Sequence, residues 1–342
     1  MISARNVWKV FGAQAPAAIV AARAGASKAE ILARHGAVIG IADASFEVRR
    51  GEIFCILGLS GSGKSTLLRH VNRLVEPSAG AIDVLGTDVM ALDGKALRRL
   101  RAERVGMVFQ HIALLPHRSV RDNVAYPLEL RGEPKARRWS VAEEKLALVG
   151  LGGYEDRMPH ELSGGMQQRV GLARALASDP EILLMDEPFS ALDPLIRREL
   201  QAQFLELSRR LCKTTLFVTH DLDEAIRLGS RIAIMRDGRI VQTGSAAEIV
   251  ASPADDYVRD FVRGVPKLRL LRVASIMEPL DTLPSSPDTM RPGGTIGPDA
   301  TLDQLVAVAA EHPGPVLVVD GTGRTLGAVR TGRLLAAIRE HG

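Results

Sequence analysis

Cysteine is scarce in this chain of 342 residues: there are two, Cys55 and Cys212. So few exclude a disulfide framework, and with Cys55 in an apolar run and Cys212 beside Leu211 two free core thiols in a reducing compartment are expected. Long hydrophobic runs are missing too. No stretch approaches the roughly 18 uninterrupted apolar residues that span a bilayer. The most apolar N-terminal stretch, Ala15 to Ala22, stops at Arg23. The N-terminus shows no charged start, apolar core and cleavage site of a secretory signal. Charge of one sign is not in large excess: 44 basic against 40 acidic residues leave a net +4, too mild to argue for nucleic acid. What remains is ordinary globular composition, 46% hydrophobic and 25% charged. At roughly 150 residues per domain, two domains are expected.

Composition changes near residue 265. All eight Phe, three Tyr and two Trp precede Pro266, while eight of the 18 prolines follow from there. The tail carries equal numbers of basic and acidic residues, so the net charge belongs to residues 1–265. The pattern predicts a large domain over 1–265, a proline-rich connector over 266–294 and a small domain over 295–342.

The large domain reads as α/β. Ile53–Leu57, Ile182–Met185 and Leu216–Thr219 are short apolar runs, each followed by polar residues and a helical pattern. Buried parallel strands covered by helices on both faces read this way. Residues 38–48 alternate, with Ile39, Ile41, Phe46 and Val48 apolar, and predict a half-buried antiparallel strand. Between Gly12 and Gly36 lies an insertion-like helical segment. In it Ser27-Lys28-Ala29-Glu30 fits a capping box, starting a short helix to about Arg34.

The run Gly58-Leu59-Ser60-Gly61-Ser62-Gly63-Lys64-Ser65-Thr66 fits G-x-x-x-x-G-K-[ST], between an apolar strand and a helix. Glycines let successive backbone N–H groups curl around phosphate oxygens, and the helix N-terminus adds partial positive charge. Lys64 reaches the β- and γ-phosphates, and Ser65 offers its hydroxyl to Mg²⁺. A second feature is the apolar strand Ile182–Met185 ending in Asp186 and Glu187. Strand ends of open α/β sheets face the ligand crevice. Asp186 is the expected Mg²⁺ ligand and Glu187 the residue that polarises attacking water.

Between them stands Leu162-Ser163-Gly164-Gly165-Met166-Gln167-Gln168-Arg169, which resembles the signature sequence of ABC-type ATPases. A serine and two glycines opening a helix repeat the anion-site logic of the phosphate loop. The resemblance implies a head-to-tail homodimer in which Ser163, Gly164 and Gly165 of one subunit cover the nucleotide of the other. It further implies that Gln110 is the Q-loop residue contacting Mg²⁺ or water, that Ser190–Asp193 is the D-loop, with Asp193 at the dimer interface, and that His220 is the switch histidine. Phe11 stands where the family stacks an aromatic on adenine; Trp8, close by, is the alternative. The fold implied is a P-loop nucleotide-binding domain with a mixed-sheet core, an antiparallel subdomain and a helical subdomain.

The insertion at 13–36, the sequence Gly58 to Thr66, the run Gln110 to Asn123 and the tail together resemble ATPase subunits of glycine betaine/proline (quaternary amine) importers, with choline importers close by. That implies ATP and Mg²⁺ as cofactors and a separate membrane permease as partner. It also implies an indirect link to a periplasmic or extracellular binding protein, and a place at the cytoplasmic face of the cell membrane. A soluble, non-transport ABC protein is the rival of another class. The tail reads strand, helix, two strands, helix and resembles a single CBS module, regulatory or dimerising. Where adenosine-binding modules carry a hydroxyl and an Asp, this tail has Arg330 and Arg333, which cannot accept ribose hydroxyls. Those cations are expected either to meet an anionic surface or to serve a purely structural module.

Overall fold

The computed structural model describes residues 1–110, 112–265, 268, 270–279, 294–311 and 314–341. Most of the connector expected over 266–294 lies outside the described residues. The chain divides into two compact units, Met1–Thr243 and Gly244–Gly342. The composition break at Pro266 therefore falls inside the second unit.

In chain order, the first unit begins with β1 (Ile2–Phe11), α1 (Ala15–Arg23), α2 (Lys28–His35) and β2 (Val38–Val48). There follow β3 (Ile53–Leu57), α3 (Lys64–Val71), β4 (Ala79–Val84), β5 (Thr87–Asp88), α4 (Gly94–Glu103) and β6 (Val105–Val108). A helical stretch comes next: α5 (Val120–Leu130), α6 (Lys135–Leu148) and α7 (Gly164–Leu176). The unit closes with β7 (Ile182–Asp186), α8 (Pro194–Leu211), β8 (Thr214–Thr219), α9 (Leu222–Leu228), β9 (Arg231–Arg236) and β10 (Arg239–Gly244).

These strands form two sheets. The larger has the order β10-β9-β3-β8-β7-β6, with β3 parallel to both β8 and β9, and β7 parallel to β8 and β6. Every residue of β3, β7 and β8 is buried. That is why these runs are continuously apolar rather than alternating. Burying each such Ile, Leu or Val contributes about 1.5–3 kcal/mol, so the sheet is the rigid floor from which the strand ends project. The smaller sheet, β2-β1-β4-β5, is antiparallel. In β2 the expected alternation is present over most of its length.

The insertion packs as its own small layer. Ser27 caps α2 by accepting from the Glu30 backbone N–H, and Glu30 returns the contact to the Ser27 N–H, completing the capping box. Ala18, Ile19, Ala22 and Ile31 bury themselves against Trp8, Val10 and Ile39 of β1 and β2. A bulge in β1 around Asn6, at φ 49°, shifts the alternation so that Val7 and Trp8 are both buried.

One expectation fails here. Cys55 is buried in β3, but Cys212 is exposed. It is the C-cap of α8 in the left-handed conformation, where the helix has already ended, so it is no core thiol.

The second unit contains α10 (Ala246–Ala251), α11 (Asp256–Phe261), β11 (Thr295–Ile296), α12 (Leu302–Glu311), β12 (Val316–Val319), β13 (Thr325–Val329) and α13 (Thr331–His341). Its sheet runs β11-β12-β13, with β12 and β13 antiparallel and β11 parallel to β12. Val273, Ile276, Leu302, Leu305, Val316 and Val318 form its core. Arg330 is engaged inside this unit: its Nε donates to Glu278 Oε2 at 2.9 Å.

Candidate functional site

The phosphate loop leaves the C-terminal end of β3 and closes on α3. At Gly58 any Cβ would lie 2.3 Å from the Met235 carbonyl oxygen, so only glycine lets the chain leave the strand there. Gly63, the N-cap of α3, has φ +103°, and a Cβ would meet the Gly40 carbonyl oxygen at 2.6 Å. Both the left-handed backbone and the close approach demand glycine. The turn delivers Lys64 as the first residue of α3. Its side chain is 4% exposed and its Nζ donates to the Leu59 carbonyl oxygen at 2.9 Å. Burial pushes the Lys64 pKa below its ordinary value, and the carboxylates of Glu187 and Asp186 partly offset that. A buried ammonium facing a cleft is under-solvated and gains from an anionic ligand.

Asp186 and Glu187 diverge at the end of β7. Asp186, the last strand residue, is fully buried. Arg69 Nη2 donates to its Oδ2 at 3.0 Å, while Oδ1 has no hydrogen-bond partner. Glu187 sits at φ 45°, a left-handed conformation that costs a non-glycine residue about 1–3 kcal/mol. The Glu187 N–H donates to the Val218 carbonyl oxygen, and its own carbonyl accepts from Ser190. Held so, its carboxylate turns from the strand line into the cleft. Oε1 lies 3.7 Å from Lys64 Nζ, and Oε2 lies 2.8 Å from His220 Nδ1. His220 follows β8, the neighbouring strand, and its side chain is about half exposed.

These groups line one cleft of about 680 Å³. Ser60, Gly61, Gly63, Lys64, Ser65 and Thr66 form its phosphate-loop wall; Gln110, Glu187 and His220 converge on it, and Phe11 borders it from the end of β1. Phe11 is 47% exposed, whereas Trp8 is 1% exposed within the core beneath the insertion. Gly58, Ser62 and Asp186 support the cleft from behind, and the buried Ser62 hydroxyl, like Asp186 Oδ1, has no partner.

Two expected groups are not brought to this cleft. Ser163, Gly164 and Gly165 open α7 at a separate surface, where Ser163 Oγ accepts from the Met166 N–H at 3.3 Å. Asp193 caps α8, accepting from the Leu195 and Ile196 N–H groups, both at 3.2 Å. Neither loop lines the cleft of its own chain. The sequence reading missed Val38, Ile39 and Gly40 of β2 as cleft residues, and also Lys28 at the start of α2. The capping box located its helix, but only the packing of the insertion on β1 and β2 brings it to the cleft.

Among the described residues no cluster of three or more His, Cys, Asp or Glu could hold a metal. A cation here must draw on one carboxylate, a hydroxyl and ligand oxygens, the hard-oxygen pattern of Mg²⁺. The unpartnered Oδ1 of Asp186 and the cleft-lining Ser65 and Gln110 are of that kind. No helix among the described residues is long and apolar enough to cross a membrane.

Residues 41–190 match the ABC transporter family. The chain is 51% identical to the glycine betaine/carnitine transport ATP-binding protein of Listeria monocytogenes, over 81% of this chain and 70% of that protein. It is 45% identical to the trimethylamine N-oxide transport ATP-binding protein of Ruegeria pomeroyi, over 96% of this chain and 94% of the relative. It is 43% identical to the glycine betaine/proline betaine transport ATP-binding protein of Escherichia coli, over 98% of this chain and 82% of the relative. A bacterial ABC transporter cassette solved as a dimer superposes with a TM-score of 0.61 at 30% identity, covering 72% of this chain and 98% of that one.

Proposed function

The chain belongs to the ABC transporter ATP-binding proteins, an ATP-binding ATPase subunit, and we propose that it energises import of a quaternary amine osmoprotectant such as glycine betaine or proline betaine through a separate membrane permease. The observation that carries the reading is the convergence of Lys64, Glu187 and His220 on one cleft, with Glu187 Oε2 2.8 Å from His220 Nδ1. The names of the relatives support the solute class. The full-length relative from Ruegeria pomeroyi favours a second solute, trimethylamine N-oxide; choline is the alternative the sequence left open. A soluble, non-transport ABC protein finds no support among these relatives.

In this reading Phe11 stacks on the base and the loop Gly58–Thr66 wraps the phosphates. The buried Lys64 ammonium is attracted to the β- and γ-phosphates, which offset the cost of its burial. Glu187 accepts a proton from the attacking water. His220 positions the Glu187 carboxylate through Nδ1, and its other ring nitrogen is left to hydrogen-bond the γ-phosphate. Ser65, Gln110 and Asp186 would hold Mg²⁺, which when bound neutralises charge on the phosphate oxygens. Ser163, Gly164 and Gly165 of a second copy close over the nucleotide, and Asp193 lies across that interface. The permease receives the closure and reopening of the dimer at the cytoplasmic face of the membrane; an external binding protein presents the solute. The tail, CBS-like in its strand and helix order, regulates or dimerises.

Uptake of labelled glycine betaine, choline and trimethylamine N-oxide, in cells with and without this gene at low and high osmolarity, tests the proposal. Loss of betaine uptake supports it. Loss of trimethylamine N-oxide uptake alone replaces the solute, and no change in any of the three removes the import reading.

A further inference from the structure

We propose that Lys28, carried by the insertion between β1 and β2, is a nucleotide-binding residue that adds a second ammonium to the cleft lined by the phosphate-loop lysine. The inference rests on the reading of this cleft as the nucleotide site.

Three observations carry it. Lys28 lines the cleft together with Phe11, Ser60 and Lys64. Its mount is rigid: the capping box of Ser27 and Glu30 fixes the start of α2, and Ile31, one turn on, is 1% exposed against the core of the insertion. Its ammonium is held by Asp237 Oδ1 at 3.2 Å. The residue after Asp237 is wired into the phosphate loop: the Gly238 N–H donates to the Ser62 carbonyl oxygen at 2.9 Å, and the Gly238 carbonyl accepts from the Ala42 N–H at 2.8 Å. The turn between β9 and β10 thus ties Asp237 to that loop.

The pair itself is weak. Lys28 and Asp237 side chains are 47% and 68% exposed, and exposed ion pairs of this kind are worth little. A phosphate oxygen, by contrast, carries more charge and sits among oriented backbone N–H groups. The favourable course is exchange: Lys28 leaves Asp237 for the nucleotide when the cleft fills. Asp237 then acts as a resting partner that competes with the ligand.

Equilibrium binding of ATP, ADP and adenosine to the full chain, by competition with a fluorescent nucleotide, tests this. Lys28→Met keeps the length of the side chain and removes its charge. It should weaken ATP and ADP about five- to tenfold and leave adenosine unchanged, while Lys28→Arg restores both. Asp237→Asn, a residue that tolerates the left-handed backbone found there at φ 51°, should tighten ATP binding, and should do so only when Lys28 is present. Equal binding by wild type and Lys28→Met overturns the proposal, as does equal weakening of adenosine and ADP. Lys64→Ala separates the two readings. If it leaves ATP binding intact, the cleft is not the nucleotide site; if it abolishes binding while Lys28→Met does not weaken it, only Lys28 is misassigned.

Discussion

Two helix starts in the first unit use the same chemistry and end in different circumstances. At α3, a glycine-rich turn meets a lysine, a glutamate, a histidine and an aromatic ring, all from the same chain. At α7, a serine caps a helix opened by two glycines, yet no group of the cleft comes near enough to share a site with it. A Cβ on Gly164 would meet nothing within 4 Å, and Ser163 is exposed. The cleft at the first start is lined by Glu187 and His220, whereas Ser163, Gly164 and Gly165 at the second do not line it. In the proposed reading the second start serves the nucleotide of another copy, and a head-to-tail pair of copies joins the two.

The comparison can be broken most severely at the first start. Glu187→Gln keeps the size of the side chain and a contact to His220 but removes the base. ATP hydrolysis by the reconstituted transporter should fall about a thousandfold with nucleotide still bound. Retained turnover would show that the base lies elsewhere. The second start gives the next effect. Ser163→Glu places a carboxylate where the account puts a partner's phosphates, and hydrolysis should fall about a hundredfold. Because Ser163 is remote from its own cleft, ATP affinity of the dilute single chain should stay within about twofold of wild type. A large loss of affinity there would mean that the loop serves its own subunit. The smallest effect belongs to the second unit. Arg330→Ala removes the contact to Glu278, an exposed pair, and should leave ATP hydrolysis at fixed ionic strength unchanged while shifting any response to salt.

How much of this was legible in the sequence follows the same division. The phosphate loop, the acidic end of β7 and His220 are local: each sits at the end of an apolar run, and a parallel sheet puts such ends on one edge. The first two are legible from their own spacing and His220 only through the resemblance; their convergence adds the order of β3, β8 and β7 and the left-handed turn at Glu187. What stayed hidden depends on long-range packing. Phe11 and Trp8 were alternatives until the bulge at Asn6 shifted the phase of β1 and put Trp8 into the core. Cys212 was expected in the core, but only Leu211 beside it is apolar, Arg210 and Lys213 are charged, and it lies just past the end of α8. Lys28 showed only as a residue of a capping box; its place at the cleft depends on how the insertion packs. The grouping of α10 and α11 with the tail likewise leaves no mark in composition, since the aromatics Tyr257 and Phe261 precede the break.

The claim that the cleft is half of a site completed by a second copy is tested most directly by the mass of the full chain carrying Glu187→Gln, measured by analytical ultracentrifugation with and without ATP. The account predicts that ATP raises the proportion of dimer and that adding Ser163→Glu abolishes this increase. A chain that binds ATP and remains a monomer at every concentration, or a dimer indifferent to Ser163, would contradict it.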